Sequence, residues 1–212
     1  MTNEAYNVDC MELMAKYPDK YFDLAIVDPP YGIGNDGQKK NISVKNPKSN
    51  RKLHEFKGWD KCTPNAEYFK ELERVSLNQI IWGGNYFVEY LTKGTKGWII
   101  WDKGQKGLTM SDAELAYSSF NSPTRIIEIN RVELLKEGTV HPTQKPVRLY
   151  DWLLINYAKK GDKILDTHLG SGSSRIACYK QGFDFVGCEL DKDYFYDQEK
   201  RFGRFIAQQT IF

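Results

Sequence analysis

With 212 residues, 41% of them hydrophobic, the chain can bury one substantial core, and its length favours a single domain. The formal net charge of +2 gives no whole-chain argument for a nucleic-acid partner, and four scattered cysteines without a C-x-x-C pair exclude a cysteine zinc site and a disulfide framework. No apolar run reaches the roughly 18 residues of a membrane span and no signal-peptide pattern begins the chain, so we expect a cytoplasmic protein with reduced, mostly buried thiols.

The first predicted elements are a short strand ending near Val8, a strand over 22–27 and, between them, a helix whose apolar residues are Met11, Leu13 and Met14. The second strand, FDLAIV, is apolar at nearly every position, which is typical of a strand covered on both faces. The stretch DPPYGIG follows at 28–34. Because prolines lack an N–H and favour extended neighbours, we expect a stiff turn that fixes Asp28 and Tyr31 at the strand's carboxyl end, where open α/β sheets bind ligands.

The next segment, 35–61, differs in composition from the rest of the chain. It contains eight lysine or arginine residues against three acidic ones. This excess of positive charge predicts a mobile basic loop, whose lysines either contact a negatively charged partner or simply keep the loop solvated.

The middle of the chain alternates between helices and strands. Thr63-Pro64 is a helix-start signal, and apolar positions through Val75 predict a helix near 64–77. The runs QIIW and GWIIWDK predict strands ending at Trp82 and Asp102, while AELAYSSF and TRIIEINRV predict further strands, antiparallel at a sheet edge. A helix begins at Pro146 and ends near 159–161.

The last fifty residues predict a βαβ unit and hence a parallel sheet. KILD is a strand, THLGSG a glycine-containing turn, SSRIACYKQG a helix, and FDFVGCE a second strand, after which Asp193 begins a final helix. Glycines let a ligand approach the backbone, the helix start offers free N–H groups, and Glu189 at the second strand's end can accept ribose hydroxyls. These features predict a nucleoside-containing cofactor. An ordinary βα turn is the alternative, and Arg175 at the third glycine position of the dinucleotide fingerprint disfavours a pyrophosphate-bearing cofactor.

The motif HPTQKP, residues 141–146, precedes this unit. A lysine between the glutamine and proline of a helix start can offer a fixed cation to a carboxylate, or it can be an exposed residue beside a capped helix. The local sequence leaves both readings open.

Three motifs in this order resemble those of one enzyme family. DPPY at 28–31, HPTQKP at 141–146 and DTHLGSG at 166–172 are similar to the motifs of the DNA amino-methyltransferases of the circularly permuted beta subgroup. The resemblance spans nearly all of the chain from Val8 to Phe195, and three separated motifs in the right order are far more specific than any one of them.

The resemblance implies an S-adenosylmethionine-dependent enzyme without a metal and with a Rossmann-like α/β fold: a seven-stranded, mostly parallel sheet with one antiparallel strand and helices on both faces. It implies that Gly170 to Ser173 line the methionine part of the cofactor, Glu189 the ribose and Asp9 the adenine, while Thr143 and Lys145 hold the methionine end. The full set of implied cofactor residues is Asp9, Cys10, His141, Thr143, Lys145, Asp166, Gly170, Ser171, Gly172, Ser173, Glu189 and Leu190.

One position departs from the family pattern. Where the family has Asp-Pro-Phe before its glycine turn, this chain has Asp166-Thr167-His168. We expect His168 to be a partly buried residue that packs in place of the phenylalanine, rather than a catalytic group.

The DPPY motif, residues Asp28, Pro29, Pro30 and Tyr31, is the predicted catalytic site. An exocyclic amine such as adenine N6 is a poor nucleophile because its lone pair is delocalised into the ring. The Asp28 carboxylate and the Pro29 carbonyl can accept both amine hydrogens and favour the tetrahedral nitrogen that develops. A base inside a duplex must be flipped out to reach this site, and Tyr31 would stack on it.

In the family, DPPY is associated chiefly with adenine N6 and SPPY with cytosine N4, so we expect an adenine-specific enzyme acting on double-stranded DNA, with cytosine N4 as the alternative. A non-catalytic nucleic-acid-binding module that retains the fold, and an RNA or protein methyltransferase, are further alternatives. We expect one catalytic domain over 1–212, with a basic loop insertion at about 35–61 and a short recognition region within about 103–140; such a small region predicts a short target or a homodimer.

The predicted phosphate contacts lie in the basic loop, with Trp59 as a wedge or stacking group for DNA. The loop residues assigned to DNA are Lys39, Lys40, Lys45, Lys48, Arg51 and Lys52.

Overall fold

The computed structural model describes residues 1–37, 54–91, 94–107, 111–130 and 138–209. Within these residues one sheet of eight strands contains β1 (Asn3–Tyr6), β2 (Phe22–Val27), β3 (Ser76–Trp82), β4 (Trp98–Asp102), β5 (Ala113–Ser118), β6 (Arg125–Glu128), β7 (Lys163–Asp166) and β8 (Asp184–Cys188). Their order across the sheet is β1-β8-β7-β2-β3-β5-β4-β6.

The helices are α1 (Cys10–Met14), α2 (Ala66–Val75), α3 (Val147–Tyr157), α4 (Ser173–Gln181) and α5 (Lys192–Gln209), with one 3₁₀ turn at Gly84–Tyr86. Local signals set their ends: the Asn65 side chain accepts a hydrogen bond from the Tyr68 N–H at the start of α2, and Gly182, in the left-handed region, ends α4. None of the helices in the described ranges is both long and apolar enough to cross a membrane.

The predicted α/β fold with one reversed strand is confirmed. Strand β5 runs antiparallel to both of its neighbours, β3 and β4, and every other pair in the sheet is parallel. The expected number of seven strands was wrong because β6 adds an eighth at the edge. The expected antiparallel direction of β6 was also wrong: the chain reverses after β5, so β6 runs opposite to β5 and therefore parallel to β4.

Strand β2 lies near the centre of the sheet and is covered on both sides, as its continuous apolar sequence predicts. Leu24 and Ile26 belong to the core under α3 and α4, whereas Ala25 and Val27 belong to the core under α1 and α2. Alternate residues of a strand point to opposite faces, which is why one apolar run serves two cores. Strand β1 ends at Tyr6, two residues before the predicted end at Val8.

The four cysteines are free, as expected, and two of them, Cys178 and Cys188, are buried, whereas Cys62 is exposed.

Candidate active site

The acidic residues that the motifs contain meet at one edge of the sheet. Parallel strands β2, β7 and β8 end beside one another, and Asp28, Asp166 and Glu189 lie at those ends. Register fixes the neighbours: Ala25 lies opposite Leu165, and Asp166 lies opposite Gly187. The stiff turn after β2 and the glycine turn after β7 therefore leave the sheet side by side.

The Asp28 carboxylate is held by two donors. The Tyr31 hydroxyl donates to Oδ1 at 2.6 Å, and the Lys145 ammonium donates to Oδ2 at 2.5 Å. The Asp28 side chain is only 16% exposed. Burial raises the pKa of Asp28 above its ordinary value, and the nearby Lys145 offsets part of that increase.

The Tyr31 ring stacks on Tyr86, with ring centroids 5.0 Å apart and planes 15° from parallel. Tyr86 belongs to the 3₁₀ turn that follows β3, and its side chain is exposed. One face of the Tyr31 ring is therefore covered by another aromatic ring, and stacking of a nucleobase on Tyr31 stays a prediction.

The Lys145 side chain lies in the acidic cluster around Asp28. Its Nζ lies 2.5 Å from Asp28 Oδ2 and 3.0 Å from Glu114 Oε2, and its implied role at the methionine end of the cofactor stays a prediction. Two buried carboxylates attract an ammonium more strongly than a neutral backbone turn does. The Lys145 carbonyl contacts the glycine-turn region, where it accepts from the Ser173 hydroxyl at 2.7 Å.

The sequence analysis missed two residues of this cluster, Glu114 and Lys103. Glu114 Oε1 is 2.7 Å from Lys103 Nζ, on the side away from Lys145. Burial alone would raise the pKa of Glu114, but Lys145 and Lys103 lower it to about 2. The only sequence feature that could have indicated Glu114 is its place near the start of the strand after W-D-K. Whether its side chain points inward depends on where β5 lies in the sheet, which the sequence does not show.

The glycine turn has the backbone conformation that lets a ligand approach it closely. Gly170 and Gly172 have φ of 51° and 74°, in the left-handed region that favours glycine. The Gly170 N–H donates to Glu189 Oε2 at 2.8 Å, which joins the turn to the end of β8. Burial raises the pKa of Glu189.

Asp166 lies under the turn and is almost fully buried. It accepts hydrogen bonds from the Ser174 hydroxyl at 2.5 Å and from the His168 N–H at 3.0 Å. Burial raises the pKa of Asp166 to about 7, although both hydrogen bonds act in the opposite direction. The Ser171 and Ser173 hydroxyls lie 3.1 Å apart in the same turn.

Arg175, at the third glycine position of the dinucleotide pattern, joins α4 to other elements. Its guanidinium bonds Asn3 Oδ1 at 2.7 Å and Glu199 Oε1 at 2.5 Å, and it lies 4.0 Å from the centre of the Phe202 ring. These contacts tie α4 to β1 and α5, so the departure from glycine has a structural reason.

Asp9 and Cys10 lie where β1 leads into α1. Asp9 is the N-cap of α1, and its Oδ1 accepts from the Met11 N–H at 2.7 Å. Burial raises the pKa of the Cys10 thiol to about 11. Leu190, which follows Glu189 at the end of β8, is 69% exposed. All three residues are thus at the carboxyl edge of the sheet.

His141 and Thr143 lie beside the glycine turn. The His141 ring lies against the Cα of Gly170: a β-carbon built there would be 3.6 Å from it. Its Nδ1 is 3.2 Å from the Thr143 hydroxyl, and Tyr194 packs edge-on against the ring at 4.3 Å. Burial lowers the pKa of His141 to about 3, so the ring is neutral at pH 7.

The segment 54–61, the described end of the predicted basic loop, contacts the rest of the protein. Lys57 pairs with Asp191 and Asp193, both at 2.7 Å, and Asp60 accepts hydrogen bonds from the Gly32 and Asn35 N–H groups. These contacts hold the segment across the cofactor-motif side of the sheet.

Trp59, in this segment, packs its ring on His141, with centroids 5.2 Å apart. Its role as a wedge or stacking group for DNA stays a prediction. The predicted DNA contacts, Lys39, Lys40, Lys45, Lys48, Arg51 and Lys52, lie outside the described residues.

His168 packs as the departure from the family pattern predicted. It is half-buried, its ring meets Tyr68 edge-on at 5.4 Å, and its Nδ1 lies 3.0 Å from the Thr167 hydroxyl. Burial lowers the pKa of His168 to about 4, which keeps the ring uncharged at neutral pH.

The residues around the glycine turn fit S-adenosylmethionine. Buried carboxylates at the ends of β7 and β8 suit hydroxyl groups and a positively charged ligand, and the start of α4 offers backbone N–H groups to a carboxylate. In the described residues no group of histidine, cysteine and acidic side chains could hold a metal ion.

Comparison with known proteins identifies the family. The family model N6_N4_Mtase, described as DNA methylase, matches residues 79–200, more than half of the chain. The type II methyltransferase M2.MboI of Moraxella bovis is 24% identical over an alignment of 236 positions, gaps included, that covers 93% of this chain and 86% of that protein.

Two solved structures share the fold. The M1.HpyAVI complex with S-adenosylmethionine has a TM-score of 0.62 at 19% identity, covering 93% of this chain and 98% of the other. The PvuII DNA methyltransferase, titled cytosine-N4-specific, has a TM-score of 0.62 at 12% identity, covering 98% of this chain and 92% of the other. With the motifs in place and the family model matched, the chain belongs to the DNA methylase family and is an S-adenosylmethionine-dependent DNA amino-methyltransferase.

Proposed function

We propose that the protein methylates the exocyclic N6 amine of an adenine flipped out of duplex DNA. The observation that carries the proposal is the buried Asp28 carboxylate at the end of β2, beside the glycine turn that follows β7. In this family a DPPY motif, with aspartate rather than serine in the first position, is associated chiefly with adenine N6.

The chain's own groups perform the binding part of the reaction. Asp28 and the Pro29 carbonyl accept the two amine hydrogens, which localises the nitrogen lone pair and stabilises the positive charge that grows on that nitrogen. When bound, S-adenosylmethionine supplies an electrophilic methyl group on a positively charged sulfur. Gly170 to Ser173, Glu189 and Asp9 hold it on the neighbouring strand ends, so that the two reactants are placed by rigid elements of the sheet.

The carboxylate must be ionised to accept these hydrogens. Burial favours its protonated form, and the Lys145 ammonium favours its ionised form. Lys145 thus contributes to the acceptor site. The amine reaches the remaining lone pairs of the Asp28 oxygens when it enters.

Cytosine N4 is the second candidate. The PvuII enzyme, whose title names cytosine N4, aligns with nearly the whole of this chain. Both targets are ring-conjugated amines next to a ring nitrogen, so the same two acceptors serve either base. A carboxylate in place of serine at the first motif position is what favours adenine here.

We propose a single catalytic domain over 1–212, with DNA contacts from the basic loop at about 35–61 and a short recognition region within about 103–140. Strands β5 and β6 already occupy part of that second range. A homodimer would supply further contacts to the duplex.

Nucleoside mass spectrometry tests the base. Plasmid DNA is treated with the protein and S-adenosylmethionine, digested to nucleosides and compared with untreated DNA. We expect N6-methyladenine. N4-methylcytosine without N6-methyladenine would replace the proposal with the second candidate, and methylation of RNA or protein in preference to duplex DNA would contradict both.

A further inference from the structure

We propose that Glu114 and Lys103 are positioning residues for the methyl transfer: Glu114 shares the Lys145 ammonium with Asp28, so that the target amine can reach the lone pairs of Asp28, and Lys103 offsets the negative charge that Glu114 adds beside Asp28. The inference rests on the acceptor role of Asp28 proposed above.

The four charged side chains form an alternating row. Lys103 Nζ is 2.7 Å from Glu114 Oε1, Glu114 Oε2 is 3.0 Å from Lys145 Nζ, and Lys145 Nζ is 2.5 Å from Asp28 Oδ2. Their side chains are between 2% and 23% exposed. The row is therefore largely removed from water. Charge–charge interactions are stronger in this low-dielectric environment than in solvent.

The reversed strand explains how Glu114 arrives there. The other strands end at the edge of the sheet that carries Asp28, but β5 runs the opposite way and begins at that edge. Ala113, the first residue of β5, lies opposite Asp102, the last residue of β4. Glu114 therefore lies one residue into its strand at the active-site edge, and Lys103 follows directly after β4.

The Lys145 ammonium has three N–H donors, and three acceptors surround it. They are Asp28 Oδ2, Glu114 Oε2 and, at 3.2 Å, the Tyr31 hydroxyl. Sharing between two carboxylates keeps the ammonium from pairing with Asp28 alone. Without the Glu114 charge, Lys145 would bind Asp28 more tightly and compete with the amine for the same oxygen.

Lys103 completes the balance. Two carboxylates close to one ammonium would leave an excess negative charge, which would make protonation of Asp28 easier. With Lys103, the row holds two positive and two negative charges. Lys103 also lies 5.6 Å from the centre of the Trp101 ring, so packing on the ring limits its freedom.

The proposal predicts opposite pH shifts for two variants. Glu114→Gln removes a negative charge, so the pKa of Asp28 falls and the acidic limb of the pH–rate profile moves to lower pH. Lys103→Met removes a positive charge and moves the acidic limb to higher pH. The other titratable groups that face Asp28 are the same in all variants: Tyr31, Lys145, Tyr150 and Asp166.

The experiment measures labelled methyl transfer to plasmid DNA across pH, with S-adenosylhomocysteine affinity by calorimetry and folding by circular dichroism. Glu67→Gln, at an exposed acid in the first turn of α2 and outside the proposed recognition region, is the matched control. We expect Glu114→Gln to lower kcat about 10- to 100-fold with cofactor affinity unchanged, because Lys145 then competes with the amine for Asp28 Oδ2 and the amine is misplaced.

Values of kcat within twofold of wild type for Glu114→Gln and Lys103→Met would overturn the proposal. So would a loss of kcat with both pH limbs in the wild-type positions, since a purely structural role would produce that result. If Glu114→Gln fails to fold, Lys103→Met alone decides. Asp28→Asn, assayed in parallel, separates the positioning role from the proposed acceptor role of Asp28. If Asp28→Asn is inactive while Glu114→Gln has normal activity, only the positioning role is wrong. If Asp28→Asn is fully active, the proposed function is wrong as well.

Discussion

Asp166 is the described acid for which burial has the clearest effect on stability. Its pKa is raised to about 7, so between about pH 4 and pH 7 the folded protein holds a proton that the unfolded chain releases. Stability from this group is therefore fully present at low pH and is lost as pH rises through 7. The free energy of unfolding of wild type, relative to Asp166→Asn, should fall by up to about 4 kcal/mol over that range.

Urea denaturation of the cofactor-free proteins at several pH values measures this difference. Asp184→Asn provides a comparison of opposite sign, because a hydrogen bond from the Thr2 N–H lowers the pKa of Asp184. Its stabilising effect is present at neutral pH and is lost on acidification. A difference between wild type and Asp166→Asn that is constant from pH 4 to pH 7 would show that Asp166 is ionised without penalty.

Among single residues, the sequence predicted Asp28 as the candidate acceptor of the amine hydrogens and missed the nearby charged residues Glu114 and Lys103. Asp28 could be located because an apolar strand, two prolines and an aromatic residue are adjacent in the chain. Glu114 could not, because a single acid in AELAYSSF is read as the exposed position of a half-buried strand. Its inward position depends on β5 lying between β3 and β4, which is a non-local property of the sheet. The Lys145 contact with Asp28 is non-local in the same way.

The 54–61 segment contacts the side of the sheet that carries the cofactor motifs. Trp59 packs on His141, which in turn lies against Gly170. We expect Trp59→Ala to weaken S-adenosylhomocysteine binding about fivefold, since one aromatic pair contributes about 1 kcal/mol. Calorimetric titration measures the change.

Trp152→Ala is the control for general effects of removing a tryptophan. Trp152 is a partly buried residue of α3 that packs near Tyr157, in the core away from His141. Its replacement should lower stability and leave cofactor affinity unchanged. Equal effects of the two substitutions on affinity would mean that the 54–61 segment does not support the cofactor site.

Element predictions succeeded where the signal was local. The apolar run of β2, the helix start at Pro146 and the glycine that ends α4 each lie within a few residues of what they determine. The direction of β6 was predicted wrongly because it depends on partners far away in the chain. Composition alone could not reveal that Lys57 pairs with Asp191 and Asp193.

In the molecule as a whole, the residues of the three motifs lie at one edge of the sheet. The basic loop at about 35–61 is the proposed source of contacts with DNA phosphates. Four substitutions to alanine, at Lys39, Lys40, Arg51 and Lys52, should reduce affinity for duplex DNA. They should also reduce the slope of log K against log salt concentration by up to about 3.6, because each lost phosphate contact removes about 0.9. Fluorescence anisotropy at several salt concentrations measures both quantities.

The matched control replaces four exposed lysines elsewhere, which are Lys70, Lys96, Lys159 and Lys160. It changes net charge by the same amount and should leave most of the slope intact. An equal reduction in both quadruple variants would mean that only overall charge matters and that the loop makes no particular contact.

The acceptor role of Asp28 is tested most directly by single-turnover methyl transfer with Asp28→Asn, an almost isosteric change that removes the negative charge. The assay uses saturating S-adenosylmethionine and DNA, and calorimetry confirms that S-adenosylhomocysteine still binds. We predict a methyl-transfer rate at least about 100-fold below that of wild type with cofactor affinity retained. A rate within a few-fold of wild type would contradict the account, because the amine would then be activated without that carboxylate.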